Sequence, residues 1–327
     1  MATGQNFYES TDYGFSWTNK STGLCGTWIN SAIVLGTDLY VSCNGVFKAD
    51  LNENNFNWQK FDNGLTSMLT RQFARKGKNL LVATADSGIF EYSNFTQSWH
   101  SINGDLWQIA DVSFQGNKYL SIESIAANDS IIFAGTSNGG LYRSTNDGKN
   151  WILLENGLPT SKVAETMLIK SNEIYIGTFK GVYYSANLGL SWTQYCDGLP
   201  SSFTSSLSIC NSNLLAGTNY GGGGVWIRPL SQIIEVNHLP IEFKLEQNFP
   251  NPFNLTSNIN YSVPYESKVI ITLYDILGRK INTLLDEIKE PGNYSVLFNA
   301  KRLSSGIYLY QLRSGGFQIT KKLVFIK

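Results

Sequence analysis

Short apolar and aromatic runs, punctuated by Gly, Asn, Asp and Ser, recur along the first two thirds of the chain, and none carries the 3.6-residue period of an amphipathic helix. That pattern predicts strands joined by tight turns. The clearest runs are Ile131-Ile132-Phe133-Ala134-Gly135-Thr136 followed by Gly140-Leu141-Tyr142-Arg143-Ser144, and Ile174-Tyr175-Ile176-Gly177-Thr178 followed by Gly181-Val182-Tyr183-Tyr184-Ser185. Each pair ends a few residues before a Trp, at Trp151 and Trp192. With Trp17, Trp58 and Trp99 these form a series spaced by 41, 41, 52 and 41 residues. A repeat of this length with four short strands predicts the blade of a β-propeller. The 52-residue interval predicts a longer rim loop around Gly104 to Gly116.

Several copies run on into Asn63-Gly64-Leu65, Asn156-Gly157-Leu158-Pro159 or Asp197-Gly198-Leu199-Pro200. Leu80 to Tyr92 is a weaker copy, Leu39 to Trp58 is degenerate, and Leu214 to Ile227 ends without the closing turn and Trp. Five to six blade repeats are expected within residues 1–230. Met1 falls inside a copy, so the first blade is expected to lack its inner strand and the chain to be truncated at its amino end. Met1 to Trp17 also reads without the apolar stretch of an export signal.

From Ile241 the grammar changes. Pro229 to Pro240 reads as a linker, with 231–240 as its span. Residues 241–327 then alternate cleanly in Val269 to Tyr274, Tyr294 to Phe298 and Ile307 to Leu312, with turns at Leu277-Gly278-Arg279, Pro291-Gly292-Asn293, Ser304-Ser305-Gly306 and Ser314-Gly315-Gly316. Six or seven strands there predict a small antiparallel sandwich. The fold class is therefore all-β, a propeller followed by a sandwich.

Composition narrows the functional classes. The 25 basic and 25 acidic side chains cancel, so no field attracts nucleic acid or an anionic membrane. No apolar run approaches the length of a membrane span. Cys25, Cys43, Cys196 and Cys210 are scattered, with no CxxC spacing, and only His100 and His238 accompany them. No metal and no cofactor is expected. Cys196 and Cys210 bracket one blade connection, which leaves either a disulfide or buried free thiols open.

One turn motif recurs: Ser10-x-Asp12-x-Gly14-x-x-Trp17, Ser144-x-Asn146-x-Gly148-x-x-Trp151 and Ser185-x-Asn187-x-Gly189-x-x-Trp192. An Asp or Asn carbonyl oxygen at that place accepts from nearby backbone N–H groups, Gly supplies the positive φ, and the Trp is expected to bury its indole. The motif resembles the Asp-box, or bacterial neuraminidase repeat, of sialidases, sortilin-type receptors and some glucan-cleaving propellers. The resemblance implies scaffold at these twelve positions, away from any active site. Sialidases also clamp a carboxylate with three arginines. Before residue 230 this chain offers Arg71, Arg75, Arg143 and Arg228, with no arginine-Ile-Pro element ahead of a box.

Gly135-Thr136-Ser137-Asn138-Gly139 matches a nucleophile-elbow pattern, but it falls on the repeat hairpin, where no helix is expected. Gly221 to Gly224 has no following Lys-Ser/Thr and reads as a turn. Trp28 and Trp107 lie outside the repeat positions, where packing is the default and sugar stacking the alternative. Asp86, Asp105, Asp111 and Glu165 are the acids placed to matter for hydrolysis, each also explicable as a solvated loop residue.

The carboxyl-terminal region carries Asn248-Phe249-Pro250-Asn251-Pro252-Phe253-Asn254, Asp275-Ile276-Leu277-Gly278-Arg279, Gly292-Asn293-Tyr294, Gly306-Ile307-Tyr308 and Lys321-Lys322. In order and spacing these resemble the carboxyl-terminal sorting domain of the type nine (Por) secretion system of the Bacteroidetes–Chlorobi group. The resemblance implies an outer-membrane translocon and a cell-surface sortase as partners, and a secreted or surface-attached location. The expectation is a non-enzymatic binding or scaffold propeller with an unknown protein or glycan ligand. Its rival is a glycan-directed hydrolase, sialidase-like or glucanase-like, with part of its active site missing.

Overall fold

Each full repeat folds into a four-stranded antiparallel meander in which every strand pairs with the one before it. The computed structural model describes residues 2–3, 6–24, 28–53, 56–109, 113–114, 117–118, 120–137, 140–159, 164–195, 203–219, 223–230, 240–301 and 303–327. They form two compact units, Met1–Tyr184 with Gln194–Leu230, and Ser185–Thr193 with Ser231–Lys327.

Among the described residues six blade sheets, of three or four strands, follow one another along the propeller part of the chain. The first has three strands, Ala2–Thr3, Asn6–Glu9 and Thr18–Asn19. Four complete sheets follow, beginning with Ser31–Leu35, Thr70–Lys76, Ile122–Ala127 and Thr166–Lys170. The last has three strands, Thr204–Cys210, Asn213–Thr218 and Gly224–Pro229. The leading strands of successive sheets, from Ser31–Leu35 through Thr204–Cys210, pack against one another. This is the arrangement of propeller blades around their inner strands.

Packing explains why the second strand of a blade reads as an unbroken apolar run. Asn79–Thr84 is buried from Leu80 onward and Glu173–Thr178 from Ile174 onward, because a sheet between two neighbours has no solvent face. Outermost strands lose that cover, and Ile152 and Leu153 are exposed. Four of the repeat indoles, Trp58, Trp99, Trp151 and Trp192, are buried. Trp17 corrects the expectation of burial: its indole is 45% exposed, on the outermost strand pair of a three-stranded sheet.

The long interval is more ordered than a plain loop. It contains a helical turn, Leu106–Ile109, whose Leu106 is fully buried in a cluster with Trp151, Ile102 and Leu120. Ser113–Phe114 and Asn117–Lys118 pair as a small hairpin.

In the second unit, Lys244–Leu245, Thr256–Val263 and Gly292–Asn299 make one sheet. Lys280–Lys289, Ser267–Asp275, Gly306–Ser314 and Phe317–Phe325 make the other, in that spatial order. Alternate residues such as Ile259, Tyr261, Val269, Ile271, Leu273, Tyr310, Leu312 and Leu323 form a shared core.

Candidate functional site

The recurring turn is built almost entirely from bonds between residues two to four apart. Gly14 N–H donates to Ser10 Oγ at 2.7 Å, Gly148 N–H to Ser144 Oγ at 2.9 Å, and Gly189 N–H to Ser185 Oγ at 2.8 Å. Each Ser hydroxyl also donates to the acidic or amide oxygen, Asp12, Asn146 or Asn187. That oxygen accepts the N–H of the residue four further on: Ser16 at 2.9 Å, Asn150 at 2.9 Å and Ser191 at 3.0 Å. The role of Ser as acceptor, and the polar residue at the fourth position, were not drawn from the motif. A polar side chain at that place in all three copies was the available signal. The turn glycines have φ of +92°, +75° and +82°. The Ser16 hydroxyl and N–H, with the Ser10 hydroxyl, hold the Asp12 carboxyl down at about 2.

Four of the indoles divide into two kinds, while Trp192 Nε1 is buried without a hydrogen-bond partner. Trp17 and Trp151 donate to the carbonyl of their own turn glycine, Gly14 and Gly148, each at 3.0 Å. Trp58 and Trp99, whose turns have decayed, donate instead to Lys20 and Phe61 of the preceding repeat, at 2.7 and 2.6 Å. These bonds close the turns and tie neighbouring sheets together.

Chemistry-bearing groups gather elsewhere, at the start of the inner strands. Asn30, Arg71, Glu123 and Glu165 stand there in four successive blades. Arg71 Nη2 lies 3.8 Å from Glu123 Oε1, which also accepts from Ser121 Oγ. Burial first, and the neighbouring Glu123 charge second, raise the pKa of Glu165 above that of a free glutamate. Beside Arg71 opens a groove of about 450 Å³ lined by Trp28, Asn30, Asn44, Met68, Leu69 and Arg71, among others. Trp28 is 69% exposed there and Leu69 57%. Asn30 Nδ2 is already committed to the Thr70 carbonyl.

The other singled-out groups are structural or dispersed. Asp105 accepts from Trp151 N–H at 2.8 Å and from Asn150 Nδ2 at 3.1 Å, which ties the long insertion to the next blade. Asp86 Oδ1 is buried without a hydrogen-bond partner. Arg75 bonds the Gly77 carbonyl and Arg228 stacks on Tyr195, so neither joins Arg71. Ser137 sits on a hairpin between two strands, and a strand follows it. His100 Nε2 is 3.7 Å from Glu91, and Trp107 packs against the cluster around Leu106. Asp111, His238, Cys25 and Cys196 lie outside the described residues. Cys43 is disulfide-bonded, whereas Cys210 is free and exposed, which removes the Cys196–Cys210 bridge. Among the described residues no group of His, Cys, Asp and Glu side chains is arranged to hold a metal, and no helix is long and apolar enough to cross a membrane.

Several motif residues of the second unit have a mechanical role. Asn248 is buried: its N–H donates to Tyr310 Oη at 2.8 Å, and its Nδ2 to Ser257 Oγ and the Pro250 carbonyl. Tyr310 Oη in turn donates to the Glu246 carbonyl at 2.7 Å. Asn251 Oδ1 accepts Val324 N–H, and Phe253 exchanges backbone bonds with Val324 and Ile326, so the Asn248 to Asn254 segment clamps the last strand. The Phe249-Pro250 and Asn251-Pro252 bonds are cis. Lys321 and Lys322 lie in that last strand, opposite Tyr310 and Leu309. Asp275 Oδ1 accepts from Leu277 and Arg279 N–H, and Oδ2 from Arg279 Nε at 2.6 Å, around Gly278 with φ +78°. Tyr294 and Tyr308 each donate to the carbonyl four residues back, Glu290 and Ser304. In both cases the ring lies over the glycine two residues earlier, Gly292 or Gly306.

Residues 247–327 match the family model described as the secretion system C-terminal sorting domain. These residues are thus a sorting domain, and the chain carries the address of an exported, surface-targeted protein. No curated protein sequence matches the chain. Among solved structures, the extracellular domain of the hybrid two-component system BT4673 of B. thetaiotaomicron aligns with a TM-score of 0.51 at 15% identity, covering 100% of this chain and 48% of that one. The chain therefore spans about half the length of that neighbour. YCF48 bound to D1 peptide aligns with a TM-score of 0.51 at 16% identity, covering 68% of this chain and 72% of that one. At these identities the likeness concerns the propeller-type fold alone.

Proposed function

We propose that this is a secreted or cell-surface protein whose propeller, built on Asp-box-type turns, is a non-enzymatic binding module, and whose sorting domain passes it through the type nine secretion system. The observation that carries this reading is the match over 247–327, whose Asn248 and Asp275 motifs are held in the sandwich by their own hydrogen bonds. The disulfide at Cys43 supports it, since such bonds persist in oxidising compartments. In this reading an outer-membrane translocon recognises the sandwich, and a surface sortase removes it or exchanges it for an anchor.

The test places a cleavable export leader ahead of residue 1 in a bacterium that has the type nine system. The full chain is expected at the surface or in the medium, and a chain ending at residue 240 is expected in the periplasm. Periplasmic retention of both, or export of the shortened chain, refutes the reading.

One observation favours the rival, a glycan-directed hydrolase: Glu123 and Glu165 put two interacting carboxylates on one rim. Release of reducing ends from a polysaccharide panel, lost in Glu165→Gln, would support it.

A further inference from the structure

We infer that the strand Gly292–Asn299 pairs with the same strand of a second copy of this chain, antiparallel about a two-fold axis, so that the two three-stranded sheets join into one. The inference goes beyond the export reading and does not rest on it.

The two sheets of the second unit have four outer strands, and three of these are defended. Lys244–Leu245 is only two residues long. Lys280–Lys289 carries Lys280, Asp286, Glu287 and Lys289, and its pairing with Ser267–Asp275 shifts register twice. Phe317–Phe325 carries Lys321 and Lys322, and the Asn248 to Asn254 segment covers its end at Val324. Shortness, charge, bulges and covering segments are the devices that keep a sheet edge from templating another chain. Gly292–Asn299 has none of them. It pairs with Thr256–Val263 in unbroken register over its whole length, and no charged side chain occurs from Pro291 to Ala300. Within it Leu297 is 67% exposed.

Sheet geometry identifies the main-chain groups on the open side. Ala300 N–H donates to the Leu255 carbonyl, and Asn258 exchanges both of its bonds with Phe249 on the far side of the intervening strand. Bonds alternate along an antiparallel pair, so Gly292, Tyr294, Val296 and Phe298 bond inward. The N–H and C=O groups of Asn293, Ser295, Leu297 and Asn299 therefore face out, and among the described residues they meet no backbone partner.

Self-pairing satisfies these groups together. With Val296 opposite its own copy, Asn293 meets Asn299 of the second copy and Ser295 meets its Leu297, each an outward-bonding residue. The side chains agree with that register. Asn293 Oδ1 accepts from Ser262 Oγ at 2.8 Å and leaves Nδ2 to donate, while Asn299 Oδ1, which accepts Lys301 N–H at 2.9 Å, has a second lone pair to receive it. The two Leu297 side chains meet diagonally across the axis. Charge selects the direction. The nearest charged residues, Glu290 and Lys301, flank opposite ends, so antiparallel pairing brings unlike charges together and parallel pairing like ones. An unrelated strand would need the same spacing of amides, which a second copy supplies by symmetry.

The experiment is sedimentation equilibrium of the purified full chain from about 1 to 300 μM, with Cys210→Ser as background to remove the exposed thiol. A reversible monomer–dimer equilibrium with micromolar dissociation is expected, since one strand edge makes a small interface. Leu297→Lys, which sets like charges across the axis, is expected to weaken the dimer about tenfold or more. Ser295→Pro removes an outward N–H and no bond to Thr256–Val263, and the same loss is expected. Gln318→Lys puts an equal charge on the defended Phe317–Phe325 edge and is expected to change nothing. Val296→Cys is expected to give a disulfide-linked dimer on mild oxidation, because it faces its own copy in a non-bonded pair with close Cα atoms. Unchanged thermal transitions show that the variants fold, and Leu297→Lys, on an exposed side chain, decides the matter if Ser295→Pro does not fold. A monomer at every concentration, a dimer indifferent to Leu297→Lys, equal loss in Gln318→Lys, or no cross-link in Val296→Cys overturns the inference. The assay needs no export, so its failure leaves the secretion reading standing.

Discussion

The Trp99 indole N–H donates to the carbonyl of Phe61, 38 residues earlier, at 2.6 Å, and the two rings meet edge to face. One side chain thus fastens its blade to the blade before. Trp99→Phe keeps an aromatic side chain but removes the donor to the half-buried Phe61 carbonyl, an expected cost of about 1–3 kcal/mol. Trp17→Phe, on an exposed indole bonded within its own turn, is expected to stay within about 0.5 kcal/mol. Calorimetry of the two variants separates these outcomes, and equal effects would refute the assignment.

Gly148 has φ +75°, and a Cβ there would run into the carbonyl of Ile102. Both backbone strain and overlap oppose any side chain. Gly148→Ala is expected to destabilise by about 2 kcal/mol or more, whereas Gly36→Ala, with a similar φ but open space, is expected to cost about 1 kcal/mol. Urea unfolding of the two variants tests the difference.

Lys76 lies half-buried between Glu91 at 3.5 Å and the more exposed Asp147 at 2.5 Å. Burial pulls its pKa down, but the Asp147 hydrogen bond and the two carboxylate charges prevail and raise it. Its stabilisation is therefore complete below the unfolded value of 10.5 and lost as pH climbs through the higher folded value. Asp147, depressed chiefly by the hydrogen bond from Lys76, contributes above 3.8 and loses its share as pH falls through the lower folded value. Melting temperature against pH should keep its plateau between these limits, and Lys76→Met should lower stability across that plateau by about 1–2 kcal/mol, less than for a fully buried pair because Asp147 is largely exposed.

Asp12 titrates at about 2 in the folded chain because Ser16 and Ser10 bond its carboxylate. Carbon-detected NMR should place its midpoint there, and Ser16→Ala should move it back toward 3.8. A midpoint already near the free value in the native chain would mean that the turn is not formed in solution.

In the sorting unit, Tyr310→Phe strands the Asn248 N–H and the Glu246 carbonyl in the core. The expected cost is about 2 kcal/mol. Because these bonds fix the start of the Asn248 to Asn254 segment, whose Asn251 and Phe253 clamp the last strand, export is expected to fall with stability. Tyr308→Phe, whose hydroxyl bonds an exposed turn carbonyl, is the control expected to change neither greatly.

What the sequence determined by itself is what depends on residues two to four apart or on a repeated spacing. The indole spacing marked the blades, Ser-x-Asp/Asn-x-Gly marked turns whose bonds close within five residues, and the Asn248 to Asn254 and Asp275 to Arg279 segments marked the sandwich. Tertiary structure decided the rest. Arg71, Glu123 and Glu165 stand about forty to fifty residues apart and share a rim only because successive blades place their inner strands in the same register. Whether an indole bonds its own turn or the preceding blade, and whether Asp105 is a catalytic candidate or a tie to Trp151, likewise turned on packing. Hydrogen bonds that close locally leave a pattern in the chain, whereas contacts made by the stacking of sheets are set by geometry that no single stretch encodes.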